Sequence, residues 1–434
     1  MLKDTYAGDV SPDMDGERVR LAGWVHEVRD LGGIKFVLLR DRTGVVQLTL
    51  PKAKVPEDTF ERAGKLRKES VISVVGEVKA NEKAPGGVEV IPERIEVLSE
   101  SETHLPLDPT GKVDADLDTR LDARVLDLRR EEPRTYFMVR NTFTTAVREY
   151  LENHGFVEVH TPKIIATATE GGTELFPVVY FERDAYLAQS PQLYKQMLMG
   201  AGFERVYEIG PIFRAEEHNT RRHLNEAISI DIEMSFIEDE EEPMEVLEGM
   251  LEHAFERVRQ EHSEELKRMG IEVPEVEAPF ERITYEEALD ILSEHGIEVE
   301  WGEDIPTEGE RKLGEVFEDE PVFVTEWPKE TRPFYTMVKD EEKGTTRAFD
   351  LLFRGIELAS GAQREHRYDV LRAQIEEDGL NPESFEKYLE AFRYGMPPHG
   401  GWGLGLERTL MTMLNVPNIR EVTLFPRDRK RLEP

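Results

Sequence analysis

Arginines set among glycines and acids are the residues of this sequence whose types and spacing could do chemistry. Phe213-Arg214-Ala215-Glu216 leads through a polar stretch to Arg222-His223-Leu224-Asn225-Glu226. Two arginines on a hairpin loop can hold one polyphosphate from both sides, because guanidinium groups bind phosphate oxygens in pairs. Gly400-Gly401-Trp402-Gly403-Leu404-Gly405-Leu406-Glu407-Arg408 brings backbone close to a neighbour and places Arg408 at a predicted helix start. The alternatives are a surface salt-bridge loop and a glycine-packed turn.

Several other kinds of site are excluded. The sequence contains no GxxxxGK[ST] phosphate loop, and the stretch from Gly403 lacks the third glycine of a dinucleotide fingerprint. The absence of cysteine excludes disulfides, thiolate zinc sites and a cysteine nucleophile.

The first hundred residues predict a small β-barrel. Short β-rich segments at 19–25, 35–39, 45–50, 71–75 and 94–97 are separated by glycine-rich turns, and a helical stretch at 56–68 follows the third segment. Five strands with a helix after the third are typical of the OB fold, which often binds single-stranded nucleic acid. The alternative is a barrel with a purely structural role.

The rest of the chain mixes helices and strands without regular βαβ alternation, which favours an antiparallel sheet flanked by helices. Apolar spacing predicts helices at 141–154 and 244–269, and the acidic run 238–242 before the second is expected to be a solvated loop. Strands are expected at 156–159, 205–209, 227–236, 347–352 and 355–359. The fold class is therefore predicted as α+β.

Charge and hydropathy indicate the salt environment and the cellular location in which the protein is expected. The chain carries 90 acidic and 55 basic residues, a net charge of −35, of which residues 1–105 contribute only −3 (19 acids, 16 bases). Acidity spread over a surface suits high salt, where charge repulsion is screened, so a halophilic origin is expected. The alternative is an acidic protein with a cationic partner. No membrane span or signal peptide is visible, and a cytoplasmic protein is expected.

Taken together, the motifs resemble those of class II aminoacyl-tRNA synthetases, and most closely the archaeal-type aspartyl-tRNA synthetases, over almost the whole chain. Residues 156–164 resemble the first class II motif, which forms the dimer interface in that family; 213–226 resemble the second and 403–408 the third. Three further segments resemble the signatures of the aspartyl enzymes: Thr169-Glu170-Gly171-Gly172, Gln189-Ser190-Pro191-Gln192-Leu193-Tyr194-Lys195 and Ser360-Gly361-Ala362-Gln363-Arg364-Glu365. The resemblance implies an OB-fold anticodon-binding domain at 1–104, a hinge at 105–130 and a catalytic domain at 131–434 with an inserted segment at about 238–342.

The implied reaction joins aspartate to ATP as aspartyl-adenylate and transfers the aspartyl group to the 3′ end of tRNA(Asp). By similarity, Arg214, Glu357 and Arg408 are the catalytic residues, and Glu357 with Ser360 would bind Mg²⁺, Asp350 being a weaker candidate. The resemblance implies that ATP is held by Arg214, Glu216, Arg222, His223, Leu224, Glu357, Gly405, Leu406, Glu407 and Arg408. The family's adenine-stacking phenylalanine is replaced by Ala227, so that His223 or Ile228 would take over its role.

The resemblance also implies an aspartate pocket. Arg364 and Lys195 would supply the cations that bind the side-chain carboxylate and reject asparagine. Glu170, Gln192 and Asp231 would hold the substrate ammonium, while Arg214 and Ser360 complete the pocket. A replacement at Gly172, beside Glu170, is expected to slow adenylate formation.

In the barrel, similarity assigns anticodon recognition to Arg29, Phe36, Gln47 and Glu77, with a core position as the alternative for Phe36. Archaeal-type enzymes that charge both tRNA(Asp) and tRNA(Asn) are taken to carry Trp and Lys at the positions of His26 and Pro85. These two residues therefore predict the form specific for tRNA(Asp), although His26 could equally be an ordinary surface histidine.

Competing interpretations are an enzyme that charges both tRNAs, an asparaginyl-tRNA synthetase, a non-catalytic RNA-binding paralogue and a plain single-strand binder. The pairing of Arg364 with Lys195 argues against the asparaginyl enzyme, and the intact motifs argue against the last two. The expected partners are therefore aspartate, ATP, Mg²⁺, tRNA(Asp) and a second copy of the chain.

Overall fold

A computed structural model describes residues 2–166, 174–217, 220–318 and 320–434, which divide into two compact units, 1–127 and 128–434. The first unit contains the strands β1 (Arg18–Asp30), β2 (Ile34–Arg40), β3 (Val45–Pro51), β4 (Val71–Ala80) and β5 (Val88–Ser99), and the helices α1 (Glu57–Ala63), α2 (Leu117–Asp122) and α3 (Arg124–Asp127).

The five strands close into a barrel in the order β1-β2-β3-β5-β4, with α1 between β3 and β4. Alternation creates its core: Val37 and Leu39 of β2 point inward, as do Val46 and Leu48 of β3, and all four are buried. The predicted OB topology, including the helix after the third strand, is confirmed.

The segment after the barrel is attached to the first unit. Lys68 forms an ion pair with Asp108 at 2.7 Å, and Lys112 pairs with Glu27 at 3.4 Å. Burial opposes ionisation of Asp108, but Lys68 and Thr110 outweigh it and lower the pKa of this carboxyl to about 2.

The second unit contains the elements that surround the cavity described below. Its strands are β6 (Val157–Glu158), β7 (Ile164–Ile165), β8 (Pro177–Tyr180), β9 (Arg183–Leu187), β10 (Arg205–Phe213), β11 (Glu226–Ser235), β12 (Glu281–Thr284), β13 (Val322–Thr325), β14 (Val338–Asp340), β15 (Thr345–Thr346), β16 (Ala348–Phe353), β17 (Ile356–Arg364) and β18 (His399–Gly405). Its helices are α4 (Glu131–Asn153), α5 (Gln192–Gly200), α6 (Glu241–Arg268), α7 (Tyr285–Glu294), α8 (Thr307–Val316), α9 (Tyr368–Glu377), α10 (Glu386–Arg393) and α11 (Leu406–Met413).

The main sheet has the order β12-β13-β16-β17-β18-β11-β10-β6 among the described residues. Its centre is antiparallel, as expected, but β12 pairs with β13 and β6 pairs with β10 in parallel. The sheet is therefore mixed. Its two end strands are short, and their direction is set by chain connections that hydrophobic spacing does not reveal.

Helices α4 and α6 pack together and against the sheet, with Phe143 and Phe255 in edge contact at 6.3 Å. Helix α4 begins at Glu131, ten residues before its predicted start at 141. Its first turns hold Pro133, which fits near a helix N-terminus because the missing N–H has no helical partner there.

The acidic run 238–242 is not a solvated loop throughout, so that prediction was wrong. Glu240 is only 3% exposed, and its carboxylate binds Lys339 at 2.8 Å and Arg347 at 2.7 Å, while α6 begins at Glu241. Burial opposes ionisation, but these two cations lower the pKa of Glu240. An acid run in sequence cannot distinguish solvent from a tertiary cation as its counter-charge.

Among the described residues, no helix combines the length and the apolar character needed to cross a bilayer.

Candidate active site

A cavity of about 550 Å³ lies in the second unit, over the antiparallel centre of the main sheet. It is lined by the loop between β10 and β11, by β17 and β18, by the start of α11, and by residues of the 301–336 region. The second and third sequence motifs, which are almost two hundred residues apart in the chain, therefore meet at one site.

The second motif is a hairpin loop. Strands β10 and β11 pair up to Phe213 and Glu226, so the intervening residues leave the sheet at its edge of the cavity. Arg222 Nη1 approaches Glu310 Oε2 at 3.5 Å and donates to the Gly355 carbonyl oxygen at 3.3 Å. The Arg214 side chain is 47% exposed and lies 4.0 Å from Glu216, so it is the arginine that is more available to a substrate.

The third motif is a strand, which was not predicted, followed by the predicted helix. Arg408 lies in the first turn of α11, lines the cavity, and donates from Nη1 to the Glu357 carbonyl oxygen at 3.2 Å. Gly401 of β18 has no room for a side chain, since a Cβ would collide with the Ile232 carbonyl and with the Glu233 carboxylate. The glycines thus let β18 pass close to acidic groups on β11.

Two residues assigned to ATP also make contacts within the protein. The Glu407 carboxylate accepts from the Ile228 backbone N–H at 2.9 Å and binds Arg140 at 2.9 Å, so both of its oxygens are engaged within the protein. The Leu406 side chain is 1% exposed and belongs to the hydrophobic core. Both residues fix the start of α11, and Glu407 but not Leu406 lines the cavity. Their assignment to ATP stays a prediction.

Arg364, at the end of β17, is the central cation of the pocket. Its guanidinium donates to Glu233 Oε1 at 3.0 Å, to the Gly401 carbonyl at 2.9 Å and to Gln192 Oε1 at 3.3 Å. The residue is 4% exposed and its guanidinium lies 5.4 Å from the centre of the Tyr335 ring. These contacts hold it in one orientation at the cavity wall.

Lys195 was expected beside Arg364 at the substrate carboxylate, but it lies behind the wall in this structure. Its Nζ binds Asp231 Oδ1 at 3.1 Å, the Trp402 carbonyl at 3.0 Å and Glu233 Oε2 at 3.5 Å, and it is not among the cavity-lining residues. Asp231 does line the cavity. In this arrangement Lys195 acts on the pocket through Asp231.

Gln192 lines the cavity, and its role as an ammonium ligand stays a prediction. Because Arg364 can only donate, the amide oxygen faces Arg364, and the buried Nε2 has no partner among the described residues. In this orientation the Nε2 group is suited to a substrate carboxylate or carbonyl oxygen, and an ammonium group could bind only at Oε1. Glu170, the other proposed ammonium ligand, and Gly172 lie outside the described residues.

Glu233 is the residue that sequence reasoning missed. Its carboxylate is fully buried between Arg364 and Lys195. Burial opposes its ionisation, but the two cations outweigh burial and lower its pKa. The alternation of Ser229, Asp231 and Glu233 with apolar neighbours was a usable signal, because it places all three on one face of β11.

Carboxylates and guanidinium groups also meet at another part of the cavity wall, around β16 and the start of β17. Asp350 of β16 is held by Arg332 through two bonds of 3.0 and 2.6 Å, and Arg332 also donates to Ser360 Oγ at 3.3 Å. Burial, followed by repulsion from Asp350, raises the pKa of Glu357 to about 7, and burial also raises the pKa of Glu310.

Glu357 is the carboxylate of this wall that best fits a cation. No hydrogen bond between described residues engages its carboxylate, whereas both oxygens of Asp350 are bound by Arg332. Among the described residues, no three acidic or histidine side chains are grouped closely enough to hold a metal without substrate. Mg²⁺ retains waters and shares phosphate ligands with its substrates, so a site with one or two protein oxygens fits that ion.

Arg332 and Trp327 come from the segment 238–342, which the resemblance marks as an insertion in the second unit. The Arg332 guanidinium stacks 4.0 Å from the centre of the Trp327 ring, and both residues line the cavity. The same segment supplies β12 and β13 to the main sheet. It is therefore part of the main sheet of the second unit and of its cavity wall.

The pKa of Glu357 predicts a pH dependence of the unliganded protein. Since the folded-state pKa lies near 7 and the reference value is 4.5, the folded protein binds this proton more tightly than the unfolded chain does. The contribution of Glu357 to the free energy of unfolding is therefore fully present below pH 4.5 and is lost as the pH rises through 7. Relative to Glu357→Gln, the wild type should therefore lose about 2–4 °C in Tm between pH 5 and pH 8.

Differential scanning calorimetry of both proteins over that pH range checks this expectation. Glu264→Gln, at an exposed position on α6, serves as the control and should follow the wild type. A constant difference in Tm between the wild type and Glu357→Gln would contradict the raised pKa.

The cavity wall offers both candidates for adenine stacking in place of Ala227. His223 Nδ1 is hydrogen-bonded to Thr220 Oγ1 at 2.6 Å, and Ile228 lies beside Ala227 on β11; all three of His223, Ala227 and Ile228 line the cavity. Glu216 and Leu224 line it as well. The identity of the stacking residue remains a prediction.

The anticodon candidates occupy the outer side of the barrel in the first unit. Phe36 is half-buried and is not part of the barrel core, which argues against the alternative that it is a core residue. It pairs in register with Arg29, whose side chain is 65% exposed. Gln47 lies on the neighbouring strand, and Glu77 on β4 pairs with Lys79 at 2.5 Å.

The two positions assigned to tRNA choice have different surroundings. His26 is half-buried and is hydrogen-bonded through Nδ1 to Arg40 at 2.9 Å, so it is not an ordinary surface histidine. Burial, followed by repulsion from Arg40, lowers its pKa. Pro85 is exposed at the start of a short 3-10 turn between β4 and β5.

Comparison with known proteins places these features in a family. Residues 116–429 match the family model described as tRNA synthetases class II (D, K and N), and residues 19–98 match the OB-fold nucleic acid binding domain. The aspartate–tRNA(Asp/Asn) ligase of Methanopyrus kandleri is 79% identical, and the aspartate–tRNA(Asp) ligase of Pyrococcus furiosus is 58% identical, each over the full length of both chains.

The structure of Pyrococcus horikoshii asparaginyl-tRNA synthetase complexed with asparaginyl-adenylate matches all of both chains at 38% identity with a TM-score of 0.94. The predicted family and fold class are confirmed. The chain belongs to the class II aminoacyl-tRNA synthetases of the aspartyl, lysyl and asparaginyl group.

Proposed function

We propose that this protein is an aspartate–tRNA ligase. The observation that carries the proposal is the buried Arg364, fixed by Glu233 at the wall of the class II cavity. A guanidinium group there can bind the side-chain carboxylate of aspartate. It has no acceptor for the NH₂ group of an asparagine side chain. The high identity to relatives named aspartate–tRNA ligases supports the same substrate.

The proposed reaction has two steps. In the first, an oxygen of the aspartate α-carboxylate attacks the α-phosphorus of ATP, the bond to the β-phosphate oxygen breaks, and pyrophosphate leaves. In the second, a hydroxyl at the 3′ end of tRNA attacks the carbonyl carbon of the adenylate and AMP leaves. Displacement at phosphorus depends mainly on positioning and charge stabilisation.

The protein side chains supply both requirements. Arg214 would bind the α-phosphate and the attacking carboxylate, where negative charge redistributes in the transition state. Arg222 and Arg408 would hold the outer phosphates. Glu357, with Ser360, would hold Mg²⁺, which when bound neutralises phosphate charge.

A second candidate concerns the range of tRNA. The name of the 79% identical relative, an aspartate–tRNA(Asp/Asn) ligase, favours charging of both tRNA(Asp) and tRNA(Asn) by this protein. The name of the 58% identical relative favours tRNA(Asp) alone, in agreement with the expectation from His26 and Pro85. Because the first relative is much more similar, we favour the broader range.

We further propose a cytoplasmic homodimer. The three-stranded sheet of β7, β9 and β8 and its connections expose large apolar side chains, including Val179 at 95%, Phe181 at 82% and Ile164 at 49%. Exposed apolar side chains are costly in water, and Ile164 lies in the segment that resembles the family's dimer motif. A halophilic origin remains a prediction from charge.

The test is ATP–pyrophosphate exchange, measured over a range of KCl concentrations with aspartate and with asparagine. Exchange with aspartate should exceed exchange with asparagine by about 10³-fold in kcat/KM. The reason is that the side-chain NH₂ of asparagine is a donor and cannot accept a hydrogen bond from the Arg364 guanidinium. Preference for asparagine would identify an asparaginyl enzyme, and no exchange at any salt concentration would favour the non-catalytic paralogue. Charging of purified tRNA(Asn) and tRNA(Asp) then decides the range of tRNA.

A further inference from the structure

Residues 418–431 pack against the hairpin loop that joins β10 to β11. Each contact uses a backbone group of the loop, so the side chains of the loop are left for other partners. The hydrogen bonds are Ile419 N–H to Arg221 O at 3.0 Å, Arg420 Nη1 to Thr220 O at 3.0 Å, Arg429 Nη1 to Glu217 O at 3.1 Å and Asn225 N–H to Arg427 O at 2.9 Å. The loop is therefore held both in its middle and where it enters β11.

Arg420 is the buried centre of this contact. It is 7% exposed, and besides the Thr220 carbonyl it binds Asp428, donating from Nε to Oδ2 at 2.7 Å. A planar guanidinium group can hold two acceptors at fixed positions, because its donors lie in one rigid fork. The Thr220 carbonyl is thereby tied through Arg420 to Asp428.

The two oxygens of Asp428 have separate partners. Oδ1 accepts from the backbone N–H groups of Lys430 at 2.8 Å and Arg431 at 3.0 Å, while Oδ2 accepts from Arg420. Burial opposes ionisation of Asp428, but these hydrogen bonds outweigh burial and lower its pKa. One carboxylate therefore closes the turn at 428–431 and orients Arg420.

The braced part of the loop carries two side chains of the cavity wall. Thr220 Oγ1 accepts from the Arg222 N–H at 3.2 Å and is hydrogen-bonded to His223 Nδ1 at 2.6 Å. Because Arg222 and His223 both line the cavity, a shift of Thr220 would move both of them. Arg364, by contrast, is fixed by Glu233 within the main sheet.

We propose that Arg420 and Asp428 are positioning residues for the nucleotide side of the cavity. They hold the backbone of the hairpin loop so that Arg222 and His223 face ATP, and they act without touching the substrate themselves. This inference rests on the proposed function, because it takes the ligand at the loop to be ATP.

The test uses Asp428→Asn, which separates the two roles of the carboxylate. The Oδ1 of asparagine can still accept from the N–H groups of Lys430 and Arg431, but its NH₂ group places a donor against Arg420 Nε. Isothermal titration calorimetry with Mg·ATP alone should show a Kd about tenfold weaker than that of the wild type. Backbone hydrogen exchange in 220–226 should become faster by about the same factor.

Pyrophosphate exchange with aspartate adds a second measurement. In Asp428→Asn the KM for ATP should rise about tenfold, while the KM for aspartate stays within about twofold of the wild type. A general loss of stability would not separate the two substrates in this way.

Three further variants keep the result interpretable. Arg420→Lys keeps the charge but can reach only one of the two acceptors, so its Kd for Mg·ATP should lie between those of the wild type and Arg420→Gln. The lysine variant also serves if Arg420→Gln folds poorly. Lys430→Gln is the matched control, because Lys430 lies in the same turn, is exposed, and has no side-chain partner within the described part of the chain. Its affinity for Mg·ATP should stay within about twofold of the wild type.

Unchanged affinity for Mg·ATP in Asp428→Asn would overturn the inference. So would an equal rise in the KM for ATP and for aspartate, which indicates a structural role alone. Calorimetry and hydrogen exchange need no amino acid, so both results are obtained even if pyrophosphate exchange with aspartate fails. In that case the proposed amino acid is wrong, while the role of Arg420 and Asp428 is still decided.

Discussion

Arg364→Lys is expected to lower kcat/KM for aspartate in ATP–pyrophosphate exchange by about 10³-fold. Lysine keeps the positive charge but loses the planar fork that now binds Glu233, Gln192 and the Gly401 carbonyl at the same time. The substrate carboxylate would then meet a single, mobile ammonium group. The loss should appear mainly as a higher KM for aspartate, with the KM for ATP little changed.

Lysine is preferable to a neutral residue at this position. Arg364→Gln would leave the buried Glu233 with Lys195 alone, at 3.5 Å, and breaking a buried ion pair costs about 3–5 kcal/mol of folding free energy. Arg367→Lys is the matched control, because Arg367 lies on the same segment with its side chain 55% exposed and paired with Glu365. Near-wild-type aspartate KM in Arg364→Lys would remove the basis for assigning substrate selection to this residue.

Arg214→Gln is expected to lower kcat for adenylate formation by about 10³-fold. Negative charge is redistributed at the α-phosphate in the transition state. A guanidinium group that is already in position stabilises that charge without having to move. Because the side chain is 47% exposed and its nearest ion-pair partner is 4.0 Å away, the substitution should leave Tm unchanged. Rapid-quench measurement of adenylate formation separates this step from tRNA charging.

Arg221→Gln provides the control on the same hairpin loop. Arg221 is exposed and is absent from the cavity lining, and its backbone carbonyl, which accepts from Ile419, is retained in the variant. Its kcat should stay within about twofold of the wild type. An Arg214→Gln enzyme that changed only the KM for ATP would show that Arg214 binds the ground state and does not stabilise the transition state.

Sequence alone determined the elements of the barrel, several strands and helices of the second unit, and the chemical groups of the site. Period-two alternation predicted the barrel strands, because a closed sheet must bury every second side chain. The glycines of β18 and the arginines of the two motifs were recognisable, since close backbone packing and phosphate binding each restrict the residue type.

The tertiary structure decided which groups pair with which, and therefore which end of a side chain is left for a ligand. Lys195 has Asp231 as its ion-pair partner, Asp350 has Arg332, and the Glu407 carboxylate binds Arg140. Sequence spacing carries no information about such contacts between distant strands. Because a buried charge must find a counter-charge, these pairings fix Lys195, Asp350 and Glu407 in the framework of the site. Under the proposed function, Arg214, Arg364 and Glu357 are the groups that meet the substrates.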